Sequence, residues 1–524
     1  MKNENLYALI ESRLPRDLSA PCIETHDGLV YSWRDLHFAS ARLAGWLASL
    51  DLPRDPDGSA ARIVVQVEKS PEALMLYLAT LRAGLVYVPL NTAYQRAEVE
   101  YFLNDARPAV VVCTPSRVRE IEPLARAAGV SHVLTLGERR DGTLLAAAAP
   151  FADSFATAQR AADDLAAIVY TSGTTGRSKG AMLTHGNLSS NALVLDEFWG
   201  FKEERETGGH DVLLHALPLF HVHGLFVASH AALLSGATML FLPKFDVRQV
   251  LERLPRSTVF MGVPTYYTRL LAEPGFDRHV CRNMRLFISG SAPLLAETFN
   301  EFRKRTGHTI LERYGMSETV MLVSNPYFGT PRDRLAGTVG VPLPGVEVRV
   351  VKAGNEPCAI GEVGDVQVRG PNVFKGYWRM PDKTREEFTA DGWFKTGDVG
   401  AFGGPGRPDN YLTLVGRSKD LIISGGYNVY PKEVESFIDE MAGVAESAVI
   451  GLPHPDFGEA VAAVVVARPG ASIDAAQVIA ALKDRIANYK VPKRVWVVDE
   501  LPRNAMGKVQ KNRLRERYAG AFAA

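Results

Sequence analysis

Tyr170-Thr-Ser-Gly-Thr-Thr-Gly-Arg-Ser-Lys-Gly180 is the stretch on which the reading of this chain turns. It follows the apolar run Leu165–Val169, which has the length and composition of a buried strand. Beyond that strand, Gly173, Gly176 and Gly180 leave backbone N–H groups open, and Thr171, Ser172, Thr174 and Thr175 add hydroxyls. Such a loop can wrap a polyphosphate, with Lys179 as the neutralising charge. The spacing G-x-x-G-x-x-K-G is not that of a Walker A loop. A plain Gly/Ser/Thr surface turn is the alternative. It suits a lone G-x-x-G better than the whole string, which reads as a nucleotide-phosphate loop.

Outward from this loop, strand-like and helix-like segments alternate. Pro71–Arg82 reads as a helix closed by Gly84, with the strand Val86–Leu90 after it. Val212–Leu217, Thr238–Leu242, Val259–Val263 and Leu286–Ser289 are short apolar runs, with helical patterns such as Val247–Leu254 between them. The alternation predicts an α/β architecture of helix-covered sheets. The Ala-rich stretch Leu144–Ala166 reads as a surface helix and connection without chemistry of its own.

At 524 residues the chain exceeds one hydrophobic core and should divide into domains. Lys+Arg and Asp+Glu balance at 59 each, so no global field favours nucleic acid or an anionic membrane. Cys22, Cys113, Cys281 and Cys358 fit no metal or disulfide spacing and read as buried reduced thiols. No apolar run has the length of a membrane span, and the acidic start Met1-Lys-Asn-Glu-Asn is unlike a signal peptide. A cytoplasmic protein is the expectation.

The texture changes near residue 400. Gly403-Gly-Pro-Gly-Arg-Pro-Asp409 is a turn-rich loop, and Tyr411–Val415 reads as a strand before Gly416-Arg-Ser-Lys-Asp420. Beyond it come helix Lys432–Met441, strands Ala448–Leu452 and Ala460–Ala467, helix Ile473–Ile486 and strand Arg494–Val498. We expect a large N-terminal domain over 1–417 and a small mobile α+β domain over 418–524. Near its end, Leu501-Pro-Arg-Asn-Ala-Met-Gly-Lys508 presents Lys508 on a short turn. Alone it reads as a surface lysine; with the loop at 170–180, two lysines from different domains could meet one anion.

These segments resemble the acyl-CoA synthetases of the adenylate-forming superfamily. The matching stretches run in the family's order: Tyr170–Gly180, Pro218–His221, Ser289–Pro293, Arg313–Thr319, Gly337–Pro342, Gly361–Gly364, Gly392–Asp398, Gly416–Asp420 with Ser424–Asn428, and Pro502–Lys508. The resemblance implies ATP and coenzyme A as substrates and Mg²⁺ held by Thr171 and Glu318. It implies a nucleotide site made of Thr171, Ser172, Gly173, Thr174, Thr175, Gly176, Lys179, Gly290, Ser291, Ala292, Arg313, Tyr314, Gly315, Met316, Ser317, Asp398 and Arg417. Tyr314 would stack on adenine, and Asp398 would hold the ribose diol. Lys508 would join Thr171 and Glu318 in adenylation. The small domain would then pivot at Lys419 and bring Gly425 and Gly426 to the thiol channel. Regulation in related synthetases implies a lysine acetyltransferase and deacetylase acting on Lys508.

The acid must be read from the pocket. Arg313 stands where the family commonly has a small residue, and Arg269 follows Val263-Pro-Thr265; His221 and Ser291 add donors. A guanidinium beside a fatty or aryl tail would be costly, but opposite a second carboxylate it is a bidentate partner. The sequence is similar to malonyl-CoA synthetases, which implies malonate, with methylmalonate as a second substrate. A ligase for another short or aryl acid, an adenylation enzyme loading a carrier protein, and a nucleotide-binding regulatory module remain the alternatives.

Overall fold

The computed structural model describes residues 2–53, 58–171, 178–201, 210–329, 333–425, 427–483, 485–504 and 507–522. Among the described residues the strands form four sheets. One holds, in order, Gly376–Tyr377, Lys179–Thr184, Leu165–Thr171, Val86–Pro89, Arg62–Gln66, Val110–Cys113 and His132–Thr135. The last five of these run parallel. A second, nine-stranded sheet has six parallel strands, Pro21–Thr25, Thr238–Phe241, Val212–His215, Val259–Gly262, Leu286–Ser289 and Ile310–Tyr314. Parallel strands are covered on both faces, which explains why they appear in the sequence as unbroken Val/Ile/Leu runs. Ligands of such sheets sit beyond the carboxyl ends of the strands. Thr171, His215, Gly290 and Gly315 all lie at or just past such ends.

Local chemistry fixes the elements that carry the site. Helix Pro71–Arg82 starts with Pro71 at its first turn and the Ser70 hydroxyl accepting from the Ala73 N–H. All its residues are buried. Helix His185–Phe198, which follows the strand leaving the phosphate loop, opens on a reciprocal cap between Thr184 and Asn187. Gly84 has φ +69°, and a Cβ there would lie 2.5 Å from the Arg160 guanidinium. That arginine donates to the Gly84 carbonyl, and Ala158 N–H donates to Arg82 O. The surface reading of 144–166 holds for most of the stretch: Leu144, Ala148 and Ala166 alone are buried, and the connection straps the end of helix Pro71–Arg82.

A four-stranded antiparallel sheet, Glu347–Val351, Gly364–Arg369, Phe394–Phe402 and Leu412–Arg417, follows. The next strand, Ile422–Ser424, belongs to a different, five-stranded sheet with Tyr427–Val429, Val444–His454, Gly458–Ala467 and Arg494–Val498. This is the small C-terminal domain, with its own core around Val434, Ile438, Val449, Val461 and Leu482. Hairpin Ile422–Val429 and helix Lys511–Tyr518 were not legible as elements; the helix is tied down by Lys511 to Glu435 and Arg515 to Asp420. Cys22, Cys113 and Cys281 are buried and Cys358 partly so, all free.

Buried histidines give the fold an acid limit. His185 accepts the Leu6 N–H at 3.1 Å, and burial, with Arg160 nearby, pulls its pKa down to about 4. His230, bonded to the Tyr77 hydroxyl, is pulled to about 3 by burial. The unfolded chain takes up protons near pH 6.5 that the folded protein refuses, so this stability is complete above about pH 6.5 and drains as pH falls toward 4. For His185 the difference amounts to about 3 kcal/mol at most. Thermal unfolding measured from pH 7.5 to 5 should show Tm falling, and less steeply in His185→Asn, which keeps an acceptor but does not titrate. Parallel curves for the two proteins would remove His185 from this role.

Candidate active site

Strands Leu165–Thr171 and Lys179–Thr184 pair antiparallel with Thr171 opposite Lys179. They hold the two ends of the glycine-rich loop; Ser172, Gly173, Thr174, Thr175 and Gly176 lie outside the described residues. The exit of the loop is fixed by the Tyr101 hydroxyl donating to Ser178 O at 2.7 Å. Lys179 Nζ lies 4.2 Å from the centre of the Tyr377 ring and 3.5 Å from Glu387. The Tyr377 hydroxyl in turn donates to Glu318 Oε1 at 2.9 Å. Tyr377 thus joins the loop lysine to the buried carboxylate, a link the sequence did not disclose.

Glu318 is 6% exposed, and burial raises its pKa, opposed by the Tyr377 hydrogen bond, Arg417 and Lys179. No lysine or arginine pairs directly with it among the described residues. Across the site, Asp398 sits on strand Phe394–Phe402 opposite Arg417 in register. Arg417 Nε is 2.7 Å from Asp398 Oδ1, and the Tyr314 hydroxyl donates to Oδ2. Each oxygen of this carboxylate is therefore held by a side chain before any ligand arrives. Gly315 cannot be replaced cheaply: a Cβ there would lie 2.0 Å from Val320 O. Met316 and Ser317 continue this turn, both partly exposed.

Strand Ile310–Tyr314 also carries a buried arginine. Arg313 is 3% exposed, and its Nε and Nη2 have no hydrogen-bond partner among the described residues. Burial lowers its pKa to about 9, which still leaves it charged at neutral pH. Its guanidinium lies over Gly290, where a Cβ would fall 2.4 Å from Cζ. Ser291 is held at φ +71°, a conformation uncommon outside glycine, and its hydroxyl lies 3.3 Å from His223 Nδ1. Ala292 completes this segment, partly exposed. His221 and His223 are kept neutral chiefly by burial and next by Arg313, His221 near about 4. His221 Nδ1 and His223 Nε2 are unpartnered. His223 was missed in the sequence; its signal was a second histidine two residues after His221.

Arg269 differs from Arg313. Helix Pro264–Leu271 buries Tyr267 and Leu270, and this leaves Arg269 on the exposed side without a partner among the described residues. The expected pair of buried arginines is thus one buried and one exposed.

The small domain faces this site. Lys508 ends a turn closed by Gly507 N–H to Asn504 O and Lys508 N–H to the Asn504 side chain, each 2.9 Å. Gly507 has φ +74°, and a Cβ there would be 3.0 Å from Thr265 Oγ1. Lys508 is solvent-accessible within the cleft; burial by the surrounding protein lowers its pKa, with Arg417 adding to this and Asp398 and Asp420 opposing it. Between the sheets, Ser418 donates to Asp365 at 2.8 Å and Asp420 accepts from Arg515 at 2.6 Å. Lys419 stands between these two anchors, and burial pulls its pKa to about 8. Gly425 is exposed with φ +58°; Gly426 lies outside the described residues.

Strand ends of two parallel sheets that carry Thr171, Gly290 and Gly315, faced by Lys508 of a second domain, have the arrangement of a ligand-binding cleft. The chain belongs to the AMP-binding enzyme family: that family's model matches residues 12–378, and the model of the AMP-binding enzyme C-terminal domain matches 433–508. Among its relatives is the malonate–CoA ligase of Arabidopsis thaliana, 38% identical over 87% of this chain and 78% of the relative. Feruloyl-CoA synthase of Amycolatopsis is 36% identical over 99% of this chain and its own full length. ATP-bound MatB of Rhodopseudomonas palustris is 52% identical, covers 99% of this chain and all of its own, and superposes with a TM-score of 0.94. Its apo form, at the same identity, gives 0.83, so the difference lies in conformation. Relatives of nearly equal identity thus carry the names of quite different acids.

Proposed function

We propose that this protein is an ATP-dependent malonate–CoA ligase that also accepts methylmalonate. The observation that carries the reading is Arg313: a buried, unpaired guanidinium with neutral His221, His223 and Ser291 around it. Leaving such a charge unpaired is costly, and a carboxylate on the far end of a short acid would satisfy it. An aryl or fatty tail would leave it unpaired. Arg269, exposed on the neighbouring helix, is proposed as an outer cation for the same dicarboxylate. The test is CoA-thioester formation with malonate, methylmalonate, succinate, acetate and butyrate. Malonate should lead, with methylmalonate behind it; butyrate or an aryl acid ahead of malonate would overturn the reading in favour of the feruloyl-type alternative.

In the first half-reaction the reacting malonate oxygen attacks the α-phosphorus of ATP, and the bond to pyrophosphate breaks. The loop at 171–179 receives the polyphosphate, Asp398 the ribose hydroxyls and Tyr314 the base. Lys508 neutralises charge between the carboxylate and the α-phosphate, in a cleft the small domain shields from water. Mg²⁺ fits the donor set: Glu318 is a buried carboxylate without a direct cationic partner, and the Thr171 hydroxyl is a second hard oxygen ligand. When bound, the ion supplies charge neutralisation to the phosphates. In the second half-reaction the CoA sulfur attacks the acyl carbon, AMP leaves and the thiol proton passes to solvent.

We place the domain boundary near 417 and the pivot at Lys419; the pivot is supported by Ser418 being tied to the large domain and Asp420 to the small one. Rotation there would withdraw Lys508 and present Gly425 and Gly426 to the thiol. Acylation of Lys508 by an acetyltransferase, reversed by a deacetylase, would erase its charge, and its accessibility supports that. Balanced charge and free cysteines support a cytoplasmic location, and no described helix is long and apolar enough to cross a membrane.

Asp398→Asn should raise the KM for ATP by roughly tenfold or more, since one charged acceptor for the ribose diol is lost. The malonate-to-butyrate preference should stay. ATP-dependence of pyrophosphate exchange measures this; an unchanged KM for ATP would take Asp398 out of the nucleotide site.

A further inference from the structure

Lys69 lies three residues past strand Arg62–Gln66 and reaches the other parallel sheet. It is 8% exposed, and no carboxylate among the described residues pairs with it. Its ammonium sits 2.7 Å from His215 O, 2.8 Å from His215 Nδ1 and 4.2 Å from the centre of the Phe241 ring. His215 ends strand Val212–His215, and its Nε2 lies 3.1 Å from both Gly224 O and Ser229 Oγ. Ser229 Oγ also donates to Gly224 O at 2.9 Å. A carbonyl only accepts, so Nε2 carries the imidazole hydrogen and Nδ1 accepts from Lys69; the bonding fixes the tautomer.

Gly224 belongs to the wide-turn helix His223–Ser229, every residue of which is buried. Wide turns of this kind recur at functional sites. A Cβ at Gly224 would fall 2.0 Å from Pro218 O, so the turn is pressed onto the segment leading to His221. At its start stands His223, whose Nδ1 meets Ser291 beside Arg313. One continuous run of contacts therefore links Lys69, His215, Gly224 and His223. Burial draws the Lys69 pKa well down with no counter-ion to oppose it, so a lysine here is an expensive way to fill space, and an apolar side chain of equal length would suit the fold as well or better.

We propose that Lys69, acting through His215, is a positioning residue for acid recognition: it holds the turn at Gly224 so that His223 and Ser291 face the carboxylate bound at Arg313. The inference rests on the reading that the acid lies beside Arg313. The test compares Lys69→Met, Lys69→Gln, His215→Leu and Arg313→Ala in the full-length protein. Pyrophosphate exchange gives KM for malonate, butyrate and ATP, and thermal unfolding is recorded alongside. Lys69→Met and His215→Leu should each raise the KM for malonate tenfold or more and lower the malonate-to-butyrate ratio of kcat/KM. The KM for ATP should stay within twofold and Tm within a few degrees. Lys69→Gln keeps an N–H donor and should fall between Lys69→Met and the parent; it carries the same test if Lys69→Met does not fold. Equal losses toward both acids and ATP, or an unchanged KM for malonate, overturns the inference. If Arg313→Ala shifts the acid ratio and Lys69→Met does not, only this inference falls. If Arg313→Ala leaves the ratio unchanged, the acid lies elsewhere and both readings fall.

Discussion

Lys508→Ala should lose adenylate formation by on the order of 10²–10³-fold, the range seen when one preorganised donor to a developing charge is removed. The lysine stands on a turn set by Asn504 and Gly507, with Thr265 against that turn and Asp398 and Arg417 as charged neighbours. Its side chain is accessible and makes no bond to another described residue, so Tm should hardly move. Thioester formation from preformed malonyl-adenylate should survive if, as proposed, rotation at Lys419 withdraws Lys508 before that step. Lys508→Gln, which mimics acylation, should behave the same way. Adenylate made at the parent rate by either variant would remove Lys508 from the chemistry and end the case for its regulation by acylation.

Arg313→Ala carries the second large effect, and it should divide by substrate. Malonate loses a desolvated ion pair, and kcat/KM should fall by about 10²-fold or more, since breaking a buried charged pair costs 2–5 kcal/mol. Butyrate had no partner for the guanidinium, so its value should hold or rise. Removing an unpaired buried cation also offsets part of the cavity left behind, so the loss of stability should be smaller than for an apolar truncation of that size. The relevant readout is the ratio of kcat/KM for the two acids. A ratio equal to that of the parent enzyme would contradict the role assigned to Arg313.

Much of this was legible because the chemistry sits on contiguous segments. The glycine-rich loop and the stretches Arg313–Thr319 and Gly392–Asp398 announce themselves by glycine spacing beside polar groups, and the parallel strands by unbroken apolar runs. What stayed hidden depends on contacts between segments far apart in sequence. Tyr377 reads as one aromatic among many until its hydroxyl is placed on Glu318 and its ring beneath Lys179. Lys69 carries no signal of its own in the sequence, and only the fold brings it to His215. Arg269 went the other way: its neighbours Tyr267 and Leu270 claim the buried side of a short helix, which its position relative to Val263-Pro-Thr265 could not reveal. The loop Gly403–Asp409 was read as turns and is so, between strands Phe394–Phe402 and Leu412–Arg417, and nothing in the structure gives it a role.

The central claim is that one buried arginine makes this adenylate-forming site select a short dicarboxylate. ATP–pyrophosphate exchange by the unaltered enzyme, with coenzyme A omitted and malonate or butyrate as the only acid, tests it most directly. Exchange should be rapid with malonate and slow with butyrate; equal exchange with both, or none with malonate, would contradict selection by Arg313.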